Sequence, residues 1–340
     1  MSAFLAAEWP GICFGTSGLG NLFTALPFET KQAIVGASIE CTSGKTIFDS
    51  AGKYGAGLAL EVLGDCFAAM QADPAKVVVS NKLGWYRTAL KTAEPTFEPG
   101  VWKDLQHDAV QRISYNGILE CFEQGNELLK GYIPQMVSVH DPDEYLAGAA
   151  NDVHAHARFD DILNAYQALR DLKDKGKVSM IGVGAKDWRV IRRIAEYVDL
   201  DWIMIANSMT VKSHPAELLD FIAAAYSKGI RVINSAVFHS GFLVGGAYYD
   251  YRLVGGVQSG DLELLTWRRR FFELCDEFNV KPAAACVQFA VGVPGVVSIA
   301  LNTTDPSRVP GNVGLVENRL PESFWQALKE HKLIDFIPVF

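Results

Sequence analysis

Four side chains in this sequence are suited to moving a proton. Asp49 and Tyr54 stand in FDSAGKYG, Lys82 in SNKLGW and His140 in SVHDPD. A free tyrosine titrates near ~10, too high to exchange protons readily at neutral pH. An ammonium close to the phenol favours the phenolate, so Lys82 is expected to bring Tyr54 down. Asp49 is expected to hold the Lys82 head through a charge-assisted hydrogen bond. His140, as a neutral ring, suits orienting a substrate oxygen or joining a proton relay. Singly, each has an ordinary structural reading as a cap, a surface ring, an ion pair or a core histidine. The chemical reading needs all four to meet.

The chain has the elements to make them meet. KTIF leads into Asp49, KVVVSNK closes on Lys82 and QMVSVH closes on His140. Parallel strands of this kind deliver their C-terminal residues to one mouth, where α/β barrels place their active sites. Eight apolar runs read as strands: Ile12 to Phe14, Thr46 to Phe48, Val77 to Ser80, Met136 to Val139, Met180 to Val183, Trp202 to Ala206, Arg231 to Asn234 and Val296 to Leu301. They are continuous rather than alternating, as strands buried on both faces are. Helical periodicity lies between them at about Phe28 to Glu40, Leu58 to Met70, Ala109 to Leu129, Asp160 to Asp174, Trp188 to Tyr197, Pro215 to Ser227 and Leu262 to Phe278. A last helix should follow Pro306 or Pro321. The alternation predicts a single (β/α)8 TIM barrel over residues 1–340.

Two longer stretches read as lids. Residues at about 85–108 are polar and interrupted by prolines, and long loops in compact domains are usually functional or disordered. This one is expected to fold over the mouth and offer Trp85, Tyr86 and Trp102 as substrate walls. The second stretch, at about 242–260, has glycine pairs flanking YYDYR. GTSGLGN, Gly15 to Asn21, has the glycines of a phosphate-binding turn without its spacing, which argues against an open doubly wound sheet. Gly15 and Gly18 are expected to permit a tight turn there.

Composition narrows the functional classes. With 39 acidic against 31 basic residues the formal charge is -8, and no basic cluster is long enough to track a phosphate backbone, so nucleic acid is not expected as a partner. Arg268 to Arg270 reads as a solvated helix face. The N-terminus lacks a basic n-region and the most apolar window is cut by Gly292, Pro294 and Gly295, so neither a signal peptide nor a membrane span is expected. Six irregularly spaced cysteines read as reduced, mostly buried thiols of a cytoplasmic protein. His154 and His156, read as part of a loop, lack a matching carboxylate motif, so no metal site is expected. The oligomeric expectation is a monomer or a small homo-oligomer.

FDSAGKYG, SNKLGW and SVHDPD together resemble the aldo-keto reductases. Around the quartet the resemblance is to the branch of aldose 1-dehydrogenases (L-fucose and D-threo-aldose dehydrogenases) and pyridoxal 4-dehydrogenase, in which GTSGLGN and VHDPD have close counterparts. The resemblance implies an oxidoreductase that moves a hydride between NAD or NADP and a carbonyl, alcohol or sugar hemiacetal, with Tyr54 as proton carrier. It places Gly15, Thr16 and Ser17 near the nicotinamide, with Asp49 close by, and Gly241 and Leu243 in a loop covering the pyrophosphate. Arg308 and Asn312 fall at the adenosine end. There Asn302 and Thr303 replace the Lys-Ser pair that grips the 2′-phosphate in NADP-linked relatives, so NAD is the expected cofactor and NADP a possible one. Three positions depart from the pattern: Lys186 stands where an Asn holds the carboxamide, Asn207 where a Gln is usual, and Ser235 where an aromatic stacks on the ring. Lys186 is expected either to swing toward substrate or phosphate or to mark altered chemistry.

Walls that mix Trp85, Tyr86 and Trp102 with His140, Asp141, Asp143 and Lys186 suit a small hydroxylated carbonyl or sugar. Two other functions stay open. One is a cofactor-binding protein without turnover, and the other an enzyme that retains NAD while isomerising or eliminating.

Overall fold

Runs of β-branched residues can bury both strand faces only if something covers each side, and here a closed ring with helices around it does so. The computed structural model describes residues 9–250 and 252–340. Its strands are β1 (Ile12–Gly15), β2 (Thr46–Ala51), β3 (Val77–Leu83), β4 (Trp85–Ala89), β5 (His107–Gln111), β6 (Met136–His140), β7 (Met180–Ala185), β8 (Trp202–Ala206), β9 (Arg231–Ser235), β10 (Tyr248–Tyr249), β11 (Arg252–Leu253) and β12 (Val296–Leu301). The barrel closes in the order β1-β12-β9-β8-β7-β6-β3-β2, and its pairs are all parallel. β4 and β5 form a separate antiparallel ribbon, and β10 and β11 a short hairpin.

The helices are α1 (Phe28–Glu40), α2 (Leu58–Met70), α3 (Tyr115–Leu128), α4 (Pro142–Ala147), α5 (Asp152–Asp174), α6 (Trp188–Ile194), α7 (Ala216–Ser227), α8 (Asp261–Glu277), α9 (Pro282–Val291), α10 (Val309–Glu317) and α11 (Glu322–Glu330). Side-chain caps set several starts. Ser114 accepts from Gly117 N–H, Asn151 from His154 N–H and Asp187 from Arg189 N–H. Among the described residues no helix is long and apolar enough to cross a membrane.

The differences from the sequence expectation have local causes. The helix expected from Ala109 starts only at Tyr115, because residues 107–111 are drawn into the ribbon with β4 and Ser114 caps α3 beyond them. α5 begins at Asp152, so His154 and His156 lie on its first turns rather than in a loop. Helix α9 was not expected, since its Ala-rich run is buried over most of its length and shows no amphipathic period; Pro282 at its first turn was the available signal. Both Pro306 and Pro321 precede helices, not one or the other.

The lower barrel is filled by Cys13, Ile47, Val78, Met136, Trp202, Met204 and Ile233. The fully buried Trp202 ring lies across Gly182 of β7, and a Cβ built on that glycine would fall 2.1 Å from a ring atom. Gly182→Ala is therefore expected to cost at least the ~1–3 kcal/mol of an overpacked core. A lowered urea midpoint would show it. In Gly182→Ala/Trp202→Leu the loss should be smaller than the sum of the two single losses.

Candidate active site

The register of adjacent strands decides which side chains enter the mouth. Asp49 pairs with Ser80, Lys82 with Ser138 and His140 with Gly184, so Asp49, Lys82 and His140 share the inward face at the C-terminal end of the barrel. Lys82 Nζ donates to Asp49 Oδ2 at 2.5 Å and Ser80 Oγ to Asp49 Oδ1 at 3.2 Å. Thr16 donates through both N–H and Oγ1 to the Asp49 carbonyl, each at 3.0 Å, joining the loop after β1 to the same point.

Tyr54 arrives from the turn after β2. That turn is pinned by backbone packing, since a Cβ on Gly20 would lie 2.8 Å from the Tyr54 carbonyl carbon and one on Gly55 2.3 Å from the Gly20 oxygen. Gly55 also has φ +63, a conformation glycine takes without strain. Thus Gly20 and Gly55 carry the backbone constraint. The expected tight turn is there, a 3-10 turn over Ser17–Gly20, and Gly15 and Gly18 also allow close packing against Asn302, Thr303 and Thr304. The Lys82 ammonium lies 4.7 Å from the Tyr54 ring centroid, His140 meets that ring edge-on at 5.6 Å, and Trp102 flanks it at 6.0 Å.

The electrostatics modify the sequence argument. Burial pushes the Tyr54 phenol up to about 12, against the pull of Lys82, while Asp49 and Asp141 add to the rise. Lys82 thus lowers the phenol only relative to where burial alone would put it. The Lys82 ammonium is itself held charged, because Asp49 and Tyr54 outweigh the cost of its burial. His140 is kept neutral by burial and by the cations Lys82, Lys53 and Lys186. Burial also raises Asp141 to about 6, with Lys53 opposing it.

Of the expected walls, Trp85 and Trp102 cluster with Phe97 beside Tyr54. Tyr86, the next residue along β4, falls on the opposite face against the main core, because neighbouring strand residues alternate. It is not available as a wall. Lys186 does not swing free: its ammonium donates to Glu144 at 2.6 Å and its N–H to Asp143 at 3.0 Å. Lys53 and Glu98 were missed. The signal for Lys53 was its place next to Tyr54 in a quoted motif, and for Glu98 a charge inside the covering stretch.

Around the other half of the mouth the inward positions are small. By the register these are Gly184, Ala206, Ser235, Ala300 and Gly15. Ser235 Oγ donates to the Ile205 carbonyl, and Asn207, at φ +60, donates its N–H to the Ser235 carbonyl. A Cβ on Gly241 would point into open space, while Leu243 is fully buried and anchors its loop from the core. Arg268 from α8 stacks on Phe242 and donates to the Gly246 carbonyl, so the basic run is not simply a solvated face. His239 holds the same loop, bonding Thr210 and Asp250 at 2.8 Å each. Asn302 Nδ2 donates to Ser17 Oγ at 2.8 Å. Those two residues were assigned to opposite ends of a dinucleotide, so an extended one cannot meet both as assigned. Thr303 Oγ1 is spent on the Asp305 backbone, Arg308 is exposed beside Asp305, and Asn312 lies half-buried on α10.

The family model Aldo/keto reductase family matches residues 11–333. The chain is 27% identical to pyridoxal 4-dehydrogenase of Microbacterium luteolum over 332 residues, 94% of this chain and 93% of that one. It is also 27% identical to D-threo-aldose 1-dehydrogenase of a Pseudomonas species over 335 residues, 96% and 94% of the two chains. Among solved structures, the glycerol dehydrogenase of Gluconobacter oxydans superposes with a TM-score of 0.70 at 16% identity, covering 99% of this chain and 97% of that one. An aldo/keto reductase of Klebsiella pneumoniae in complex with NADP and acetate superposes with a TM-score of 0.62 at 16% identity, covering 96% and 92%.

The buried Lys82–Asp49 pair makes its own prediction. Asp49→Asn leaves a buried ammonium without its counter-charge, and breaking such a pair costs about 3–5 kcal/mol. The urea midpoint should drop accordingly, and Asp49→Asn/Lys82→Met should recover much of it, since both charges are then gone. A double variant no more stable than the single one would contradict this account.

Proposed function

The chain belongs to the aldo/keto reductase family, whose model spans most of it, and from that premise we propose that it is an NAD-linked dehydrogenase of a small hydroxylated carbonyl compound, an aldose oxidised at its hemiacetal carbon. That it is an NAD(P)-dependent oxidoreductase follows from the family. The observation that carries the finer reading is the make-up of the mouth: Trp85 and Trp102 on one side, and the charged Lys53, Asp141, Glu144 and Lys186 next to His140 on the other. Aromatic platforms rimmed by charged hydrogen-bonding groups suit sugars better than long apolar carbonyls. The 27% identity to an aldose dehydrogenase and to a pyridoxal dehydrogenase points the same way.

In this reading the neutral His140 ring hydrogen-bonds the reacting substrate oxygen and orients it. In oxidation Tyr54 acts as its phenolate and takes that oxygen's proton, becoming the neutral phenol; in reduction the phenol gives the proton back and becomes the phenolate. Lys82 stabilises the phenolate so formed, and Asp49 and Ser80 hold Lys82 in place. A bound oxidised nicotinamide would supply the hydride acceptor. Trp102 packs against the Tyr54 ring.

Two predictions test this. Tyr54→Phe should lower kcat by roughly 10²–10⁴, the usual worth of general acid–base catalysis, while the dissociation constant for the dinucleotide stays within about twofold. The assay is a panel of aldoses, pyridoxal and simple aldehydes, read by absorbance of the reduced nicotinamide. Turnover of long apolar carbonyls alone would refute the sugar reading, and more than a tenth of the activity left in Tyr54→Phe would move the proton elsewhere.

NAD preference keeps Asn302 at the adenosine end and gives up Ser17, its hydrogen-bond partner, as a nicotinamide neighbour; the segment after β12 then lacks a lysine at position 302, and Arg308 is its cation. A charge-assisted contact is worth about 1.5–3 kcal/mol, or roughly ten- to more than a hundredfold in affinity. Asn302→Lys is expected to narrow the ratio of NADP to NAD dissociation constants by about that factor. The Klebsiella neighbour holds NADP, so equal affinities in the wild type are the result that defeats the preference.

A further inference from the structure

Lys53 is 5% exposed, and a lysine so buried needs its charge matched. Its ammonium meets Glu98 at 2.8 Å, Glu144 at 3.1 Å and Asp141 at 3.4 Å, and lies 5.4 Å from the centre of the Trp85 ring. Three donors thus serve three carboxylates, one from the covering segment and two from the stretch that begins where β6 ends.

Two of those carboxylates lead to the two rings that flank Tyr54. The second oxygen of Glu98 accepts from Trp102 Nε1 at 2.7 Å, and Trp102 flanks the Tyr54 ring. The Asp141 oxygen that faces Lys53 also lies 3.5 Å from His140 Nε2. Glu98 and Asp141 both hold left-handed backbone, at φ 45 and φ 44, a conformation that persists in such residues only when the surroundings enforce it. We propose that Lys53 is a positioning residue that ties the segment covering the mouth, through Glu98 and Trp102, to the His140 side, through Asp141.

The physical consequence is twofold. Without the Lys53 charge, Glu98, Asp141 and Glu144 face one another with the Lys186 ammonium left to Glu144. Repulsion then frees Glu98 and loosens Trp102. The groups facing His140 are Lys82 from β3, Lys53 from the turn after β2, Lys186 from beyond β7, and Asp141 and Tyr54. Deleting one of three cations lets the ring take a proton at higher pH, which narrows the pH range over which the neutral form persists.

The experiment uses the full chain without cofactor and compares Lys53→Met, Lys53→Arg and Glu98→Gln with the wild type. Amide hydrogen exchange over residues 95–103 reads the tie to the covering segment, and an NMR titration of ¹⁵N-labelled histidine reads His140. Lys53→Met should speed exchange there by about tenfold or more and raise the His140 midpoint by about one unit or more. Glu98→Gln should speed exchange and leave His140 in place, and Lys53→Arg should resemble the wild type in both. Unchanged exchange in Lys53→Met and Glu98→Gln overturns the tie. Faster exchange with an unmoved His140 in Lys53→Met overturns the link to the site. If Lys53→Met does not fold, exchange in Glu98→Gln decides. The proposal rests on Tyr54 and His140 acting as read above. Tyr54→Phe tests that assignment by turnover, whereas exchange and titration read the tie without it.

Discussion

A lysine ammonium inside a barrel has to be met by a carboxylate, and most of this mouth follows from that requirement. Lys82 and Asp49 belong to neighbouring strands, and their register places both on the inward face. Ser80 takes the other Asp49 oxygen, and Thr16 takes the Asp49 carbonyl. Through those bonds the pair fixes the ends of β2 and β3 and the loop after β1. Removing a charge costs more than the pair contributes, because the remaining partner is stranded in a medium that solvates it poorly.

The barrel was legible because strands covered on both sides read as unbroken apolar runs, and all eight such runs are barrel strands. The same logic hid α9, whose burial on most sides erases the period that reveals a helix. Tyr86 was misplaced because β4 was not recognised as a strand, and its alternation sends Trp85 and Tyr86 to opposite faces. The four proton-moving residues were visible by type and setting. The position of Tyr54 on the pH scale was not, since burial is a property of the packed structure and here outweighs the nearby cation. The role of Lys53 was hidden for a related reason, despite its place next to Tyr54: its three partners are distant in sequence and are brought to it by the fold.

The cofactor side was less legible. Positions assigned by spacing alone carried no information about which loops touch. β1 and β12 are neighbours, so the loops that follow them meet, and Ser17 and Asn302 spend hydrogen bonds on each other. The loop that includes Gly241 and Leu243 is held from behind, by Arg268 on an outer helix and by the buried His239. A run of three arginines in the sequence does not reveal that one of them reaches inward to a carbonyl.

The contact between Gly20 and the Tyr54–Gly55 peptide joins two loops without using a side chain. Its geometry is therefore blind to what the neighbouring positions carry. Side chains around that contact can be reselected for another reactant while the phenol keeps its address, provided that Thr16 and Lys53 keep the bonds that hold the mouth. A barrel built this way separates the inheritance of its reaction from the inheritance of its specificity, and two glycines are the hinge of that separation.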